Sequence, residues 1–421
     1  MAALAQGGFP DDDAAVAIPA PSAAASDIYR RFAKGVVKIQ VAETGSSAKA
    51  LSGSGFYVDP QGHVVTNYHV ISRLVHYPEH YRVEVHDAAG TVHQAQVLAI
   101  DVIHDLALLG TAADPLARFL LTPAPMSRGD RLFSLGHPRD LGLSIIEGTY
   151  NGHLQYTLYP KIHFTGSLNP GMSGGPAIDA RGRVIGINVS TQGNQLSFLV
   201  PVDRAIALLD SARAASFRPS SDFVGDVTRQ ILAYQDEYIG QMLADSLPVV
   251  TLGSFELPSA PSRFFKCWAN ASHDDERPYE IARHQCSTDD WVFIADEQST
   301  GIVELEHRVL SSRSLNALRF SALYTYQFDP TGEEPYGDKE QVTRFRCTAE
   351  NVRTSGATLR AALCVRRYRN LPGLYDAIVR SAVLGKKGTG VVSVFQLSGV
   401  SFENAQKVAR RYLDRIAWQS R

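Results

Sequence analysis

Between residues 35 and 201 the chain never stays long in one register. Apolar or alternating stretches at 35–41, 82–86, 92–100, 131–135, 144–150 and 155–159 are rich in β-branched and aromatic residues. Turn formers separate them, as in Asp59-Pro60-Gln61-Gly62. Short strands repeated this regularly, with Gly and Pro at the turns, argue for antiparallel barrels. The chain has 421 residues, enough for two or three domains with real cores.

The pattern changes after residue 201. Residues 203–213 read as a helix with Ile206, Leu208 and Leu209 apolar, and 216–221 (Ser-Phe-Arg-Pro-Ser-Ser) as a linker. Asp222 is placed to cap a long amphipathic helix whose stripe is Val224, Val227, Ile231, Leu232, Ile239, Met242 and Leu243, spacing that suits core packing. Beyond Pro248, strand-like runs at 262–268, 279–285, 291–294, 302–310, 341–349, 357–368, 375–384 and 390–397 precede a closing helix at 402–418. The expected organisation is a flexible lead-in (1–26), a barrel domain (27–214), a linker (215–221) and an α+β accessory domain with an antiparallel sheet (222–421).

Three stretches carry chemistry. Ser173 stands in Gly171-Met172-Ser173-Gly174-Gly175-Pro176. A nucleophilic hydroxyl needs a neighbouring base and backbone N–H groups turned toward the oxygen that becomes negative. Glycine before the serine permits the backbone dihedrals that aim those groups. His69, in Thr66-Asn67-Tyr68-His69-Val70-Ile71, is expected at the end of a strand facing a cleft. Asp105, in Ile103-His104-Asp105-Leu106, opens an apolar run where a buried carboxylate could orient an imidazole. Each residue alone fits an ordinary turn, cap or core role. The order His, Asp, Ser within one β-rich region does not read as chance.

These blocks resemble a trypsin-like serine protease domain of the bacterial Deg/HtrA type over residues 27–212. Gly53-Ser54-Gly55-Phe56 with Thr66 to Ile71 matches its histidine region, and His104 to Leu108 its aspartate region. Leu135-Gly136-His137-Pro138, Asn169 to Pro176, Arg183 to Asn188 and Phe198 to Pro201 match the blocks that follow. The resemblance implies a chymotrypsin-like double six-stranded barrel, with His69 and Asp105 from the first barrel and Ser173 from the second. It also implies a Ser-His-Asp endopeptidase acting on protein or peptide substrates, with the N–H groups of Gly171 and Ser173, on either side of Met172, forming an oxyanion hole. No cofactor or metal is needed. Ser167 and Leu168, with Asn188, Val189 and Ser190 opposite, are expected to line the substrate site. None is acidic, so cleavage is expected after small or medium aliphatic residues rather than after Lys or Arg. Met172 departs from the family's usual Asn or Asp and must pack instead. No zymogen-type activation terminus is visible. The late region lacks the Gly-Leu-Gly-Phe-type loop of carboxylate-binding PDZ modules, so residues 222–421 resemble no family.

Charge is nearly balanced, 16 basic against 18 acidic residues through position 214 and 25 against 25 after it, which gives no footprint for nucleic acid. Clusters such as Arg366-Arg367-Tyr368-Arg369 read as solvated faces. No apolar run approaches the length of a membrane span. All four cysteines, Cys267, Cys286, Cys347 and Cys364, lie late, an even count that fits two bridges in an oxidising compartment. The simplest pairing is Cys267–Cys286 and Cys347–Cys364, each pair bracketing about one hairpin; two other connectivities and buried thiols stay open. Close Cys-x-x-Cys metal spacing is absent. Ala3-Leu4-Ala5 before Gln6 has a small-x-small cleavage pattern without an apolar stretch before it. Export to the periplasm or beyond is expected, with the leader removed and Met1 added for expression. Two other readings compete: a catalytically silent protease-fold binder that recognises its partner through residues 222–421, and an esterase-like hydrolase. The latter is disfavoured because such enzymes place Gly-x-Ser-x-Gly between a strand and a helix.

Overall fold

The computed structural model describes residues 23–419, apart from 47–48, 116, 192–194, 260–263, 272–275, 289, 297 and 330–336. Most of the expected lead-in, with its Ala3-Leu4-Ala5 pattern, lies outside the described residues. Helix α1 (Ala23–Phe32) leads into a closed barrel of β1 (Val36–Glu43), β2 (Lys49–Tyr57), β3 (His63–Thr66), β4 (Tyr81–His86), β5 (Val92–Asp101) and β6 (Leu106–Thr111), in the order 1-2-3-6-5-4. Helix α2 (Tyr68–His76) bridges β3 and β4. A second closed barrel joins β7 (Arg131–Gly136), β8 (Ser144–His153), β9 (Ile162–Thr165), β10 (Pro176–Ile178), β11 (Val184–Thr191) and β12 (Ser197–Pro201), in the order 10-11-12-9-8-7. Helix α3 (Val202–Arg213) follows.

Period-two alternation explains both barrels. In β1, Val37, Ile39 and Val41 point into the barrel while Lys38 and Gln40 point out, and closure removes every sheet edge. A separate cluster joins the barrels, with Phe56, Val65, Leu106 and Leu108 from the first against Phe133, Leu135, Ile178 and Ile187 from the second. One expected strand is absent: 155–159 is irregular, with Tyr156 in left-handed backbone (φ 60), while Leu158 and Tyr159 are buried against other parts of the chain. Its alternation reflects those contacts and not a strand.

Asp222 caps α4 (Phe223–Ala244) by accepting from the Gly225 N–H at 2.8 Å. Strands β13 (Val249–Leu252), β14 (Phe255–Pro258), β15 (Phe265–Ala271) and β16 (Tyr279–Thr288) follow, then a hairpin of β17 (Val292–Ala295) and β18 (Gln298–Thr300). After β19 (Val303–Ser312) comes α5 (Ala317–Phe328), which the sequence reading did not anticipate. β20 (Arg346–Arg353), β21 (Thr358–Arg367), β22 (Tyr375–Val383), β23 (Thr389–Val400), α6 (Phe402–Asp414) and β24 (Ala417–Trp418) complete the chain. The main sheet is antiparallel, in the order 15-16-19-23-22-21-20. Its central strands are buried on both faces: Phe395 and Leu397 pack with α4 and α6, Val392 and Val394 with α5. The structure joins Cys267 to Cys286 and Cys347 to Cys364, each at directly opposed positions of adjacent strands.

The core does not stop at 215–221. Val227 and Ile231 of α4, Val292 and Ile294 of β17, and Leu371 and Leu374 all belong to the cluster that fills the first barrel. Each such buried side chain contributes about 1.5–3 kcal/mol. Among the described residues, no helix is long and apolar enough to cross a membrane.

Candidate active site

His69 lies in the first turn of α2 and not at a strand end, correcting the sequence expectation. The β-branched pair Val70-Ile71 disguised the helix, whose buried positions Tyr68, Ile71, Ser72 and Val75 keep helical spacing. β3 ends at Thr66, and Asn67 turns the chain by donating its side-chain amide to the Asp105 carbonyl at 2.8 Å. The Tyr68 N–H donates to the same carbonyl at 3.2 Å. His69 is thereby delivered to the Asp105 carboxylate. Oδ1 accepts from the His69 backbone N–H at 2.8 Å, and Oδ2 lies 2.6 Å from Nδ1. A carboxylate only accepts, so Nδ1 carries the proton and Nε2 is the basic nitrogen. Burial pushes the imidazole pKa down, but the charge and hydrogen bond of Asp105 outweigh it, and the net shift is upward.

Asp105 is itself in left-handed backbone (φ 55), a conformation Asp adopts more readily than most residues. Its loop is braced from the accessory region. Gln230 of α4 accepts from the Val102 N–H at 2.8 Å and donates to the Ile100 carbonyl at 2.9 Å. His104 turns away to Asp101, Nδ1 to Oδ2 at 2.7 Å, and its ring meets Tyr159 edge-on.

The serine loop is a tight turn. The Met172 N–H donates to the Asn169 carbonyl at 3.0 Å, with Pro170 second and Gly171 (φ 97) third, the chemistry of a type II turn. Ser54 of β2 fastens it from the other barrel. Its Oγ donates to the Gly171 carbonyl at 2.7 Å and accepts from the His137 N–H at 2.8 Å, while its own N–H donates to the Ser173 carbonyl at 2.7 Å. The Pro170 carbonyl accepts from the Arg139 N–H at 3.1 Å. With those carbonyls held, the N–H groups of Gly171 and Ser173 donate to nothing among the described residues. Ser173 Oγ donates to the Val189 carbonyl at 3.3 Å, and no Ser173–His69 hydrogen bond is formed. The two elements are nonetheless close: a Cβ on Gly53 would stand 2.6 Å from Val70 and 3.2 Å from the Ser173 carbonyl oxygen.

Met172 is fully buried with Leu132, Phe164, Leu168 and Leu199 in the second barrel. Leu168 therefore belongs to this core, while Ser167 and Ser190 are exposed and Val189 is half-buried. Asn188 turns inward. Its side-chain amide donates to the carbonyls of Leu135 and Met172, both at 3.1 Å, and its Oδ1 accepts from Ser134 Oγ at 2.8 Å. Its backbone groups are engaged by Gly174 and Gly175, so Asn188 braces the loop and offers nothing to a substrate strand. Sequence reasoning missed the roles of Ser54 and Gln230. The glycines flanking Ser54 were a signal of close backbone approach; Gln230, on a helix face 128 residues from Val102, gave none.

Residues 53–187 match the family model of the trypsin-like peptidase domain. The chain is 32% identical over 176 residues to Protease Do-like 1, chloroplastic, of Arabidopsis thaliana, covering 38% of each chain. It is 30% identical over 215 residues to the probable periplasmic serine endoprotease DegP-like of Halomonas elongata, covering 49% of this chain and 42% of that one. Bovine mitochondrial serine protease HTRA2 is 29% identical over 193 residues, 42% of this chain and 41% of that one. The chain thus spans about two fifths of the length of these relatives. Two solved structures are similar: the serine endoprotease from Yersinia pestis (24% identity, 47% of this chain and 70% of that one, TM-score 0.39) and Deg5 (27%, 44% and 91%, TM-score 0.39).

Proposed function

We propose that this chain, a trypsin-like peptidase domain of the Deg/HtrA type joined to an α+β accessory domain, is a serine endopeptidase. The carrying observation is the His69–Asp105 pair, in which one carboxylate grips both the ring and the backbone N–H. In this reading Ser173 Oγ leaves the Val189 carbonyl, gives its proton to His69 Nε2 and attacks a peptide carbonyl. The negative oxygen is received by the N–H groups of Gly171 and Ser173 on either side of Met172. Asp105 holds the tautomer and stabilises the imidazolium. His69 returns the proton to the leaving amine, and water then cleaves the acyl-enzyme. Ser167, Val189 and Ser190 border the substrate, and the lack of an acidic side chain there supports cleavage after small or medium aliphatic residues. The disulfides support an oxidising compartment such as the periplasm; of the relatives, one is periplasmic by name and others chloroplastic and mitochondrial.

The Ser173–Val189 hydrogen bond favours a second reading, a protease-fold binder without activity. Labelling with a serine-directed fluorophosphonate and casein hydrolysis separate the two. The endopeptidase reading expects labelling that Ser173→Ala abolishes, with hydrolysis falling on the order of 10⁶-fold. An unlabelled wild type, or equal hydrolysis by both proteins, would overturn it.

A further inference from the structure

The accessory region reaches the catalytic histidine. Hairpin β17–β18 packs on α2, the helix that carries His69. Tyr68 Oη donates to the Ile294 carbonyl at 2.6 Å, and His76 Nε2 lies 3.0 Å from the same oxygen. Arg73 pairs with Asp296 at 2.6 Å on the rim. Strand alternation then decides what faces the site. Val292 and Ile294 are almost fully buried in the first-barrel core, while Phe293 between them stays half-buried at the margin of that core, edge-on to the Tyr68 ring at 6.3 Å. Its ring stands edge-on to the His69 imidazole, with centroids 6.0 Å apart and planes at 73°. Both rings keep contact with solvent: Phe293 is half-buried and the His69 side chain is 28% exposed. An apolar ring beside a partly open imidazole borders whatever approaches that imidazole.

We infer that Phe293 is a specificity-determining residue, the accessory domain's wall of a substrate subsite next to the scissile bond. It would receive a large apolar side chain of the substrate strand as that strand passes over His69. Residues 222–421 are then part of the cleft and not an appended module. The inference rests on the endopeptidase reading above. To the border formed by Ser167, Val189 and Ser190 it adds a wall at His69, from a strand 120 residues beyond Ser173 in the chain.

The test uses the full chain and a peptide library randomised at the residues flanking the cut. Wild type is expected to prefer Leu, Ile or Phe at one position within two residues of the scissile bond. Phe293→Ala is expected to lose that preference, with kcat/KM for the preferred substrates falling about tenfold or more, the scale on which a hydrophobic pocket discriminates. Phe293→Leu keeps an apolar wall and retains the preference, and Trp291→Ala, on the exposed neighbour, keeps the wild-type profile. Fluorophosphonate labelling runs in parallel. A wild type that does not label sinks the endopeptidase reading and this inference with it. A labelled wild type whose profile survives Phe293→Ala sinks the inference alone. So does a uniform rise of tenfold or more on all substrates, which would make the hairpin an obstruction, and so does loss of labelling in Phe293→Ala, which would make Phe293 a prop for His69.

Discussion

Ser54 shows how much of a site can depend on a residue outside the proposed triad. It is fully buried, belongs to the first barrel, and makes three hydrogen bonds to the serine loop and the His137 segment of the second. Its Oγ holds the Gly171 carbonyl, while the N–H groups of Gly171 and Ser173 donate to nothing among the described residues. Ser54→Ala would remove the hydroxyl partner of the half-buried Gly171 carbonyl and His137 N–H, each bond contributing about 1 kcal/mol. We expect this variant to lower kcat well before it raises KM, since in the proposed mechanism the donors of that loop act on charge developing in the transition state. Steady-state kinetics on one peptide substrate checks this; a change confined to KM would contradict it. Met172 completes the residue-scale account. Where the family's usual Asn or Asp would brace the loop through a polar side chain, Met172 anchors it by burial, and Asn188 supplies the polar brace through the Met172 carbonyl.

At the scale of elements, His307 is the clearest junction in the accessory domain. It sits on β19, and its ring is fully buried between His284 of β16 and Tyr412 of α6. Nε2–H donates to the Pro258 carbonyl of β14 at 2.5 Å, so Nδ1 accepts from Ser393 Oγ of β23 at 2.7 Å. Burial drives its pKa down to about 3, opposed by the Pro258 carbonyl and reinforced by His284. The folded state thus keeps His307 neutral where the unfolded chain protonates. Its contribution is complete above the ordinary histidine value of about 6.5 and fades as pH falls toward 3. The slope is about 1.4 kcal/mol per pH unit. Urea unfolding should therefore show the stability difference between wild type and His307→Gln shrinking by about 2 kcal/mol from pH 6.5 to 5; a constant difference would refute the buried neutral ring. Elements also show the limits of periodicity. The stripe of α4 and the alternation of β19 are legible because burial repeats at the period of the structure, while β22 and β23, buried on both faces, read as near-continuous apolar runs. The alternation at 155–159 was misleading, because long-range packing buried Leu158 and Tyr159 without a ladder.

Across the whole molecule, the two regions are joined by more than a linker. α4 and β17 share the first-barrel core, Gln230 braces the Asp105 loop, and Lys161 of the second barrel makes a buried ion pair with Asp290 at 2.5 Å. The chain should therefore unfold in one calorimetric transition; two well-separated transitions would contradict a shared core. The sequence by itself determined the barrels and the His-Asp-Ser order, and offered the cross-strand cysteine pairing only as the simplest of three, which the structure selected. The first two rest on local pattern: strand period, turn chemistry, and residue types set in recognisable blocks. Only the tertiary structure decided that His69 begins a helix, that Ser54 and Asn188 hold the serine loop, and that Phe293 stands at the imidazole. Those facts depend on contacts between segments far apart in the chain. A buried polar group must find a partner, but its own neighbourhood does not say where that partner lies.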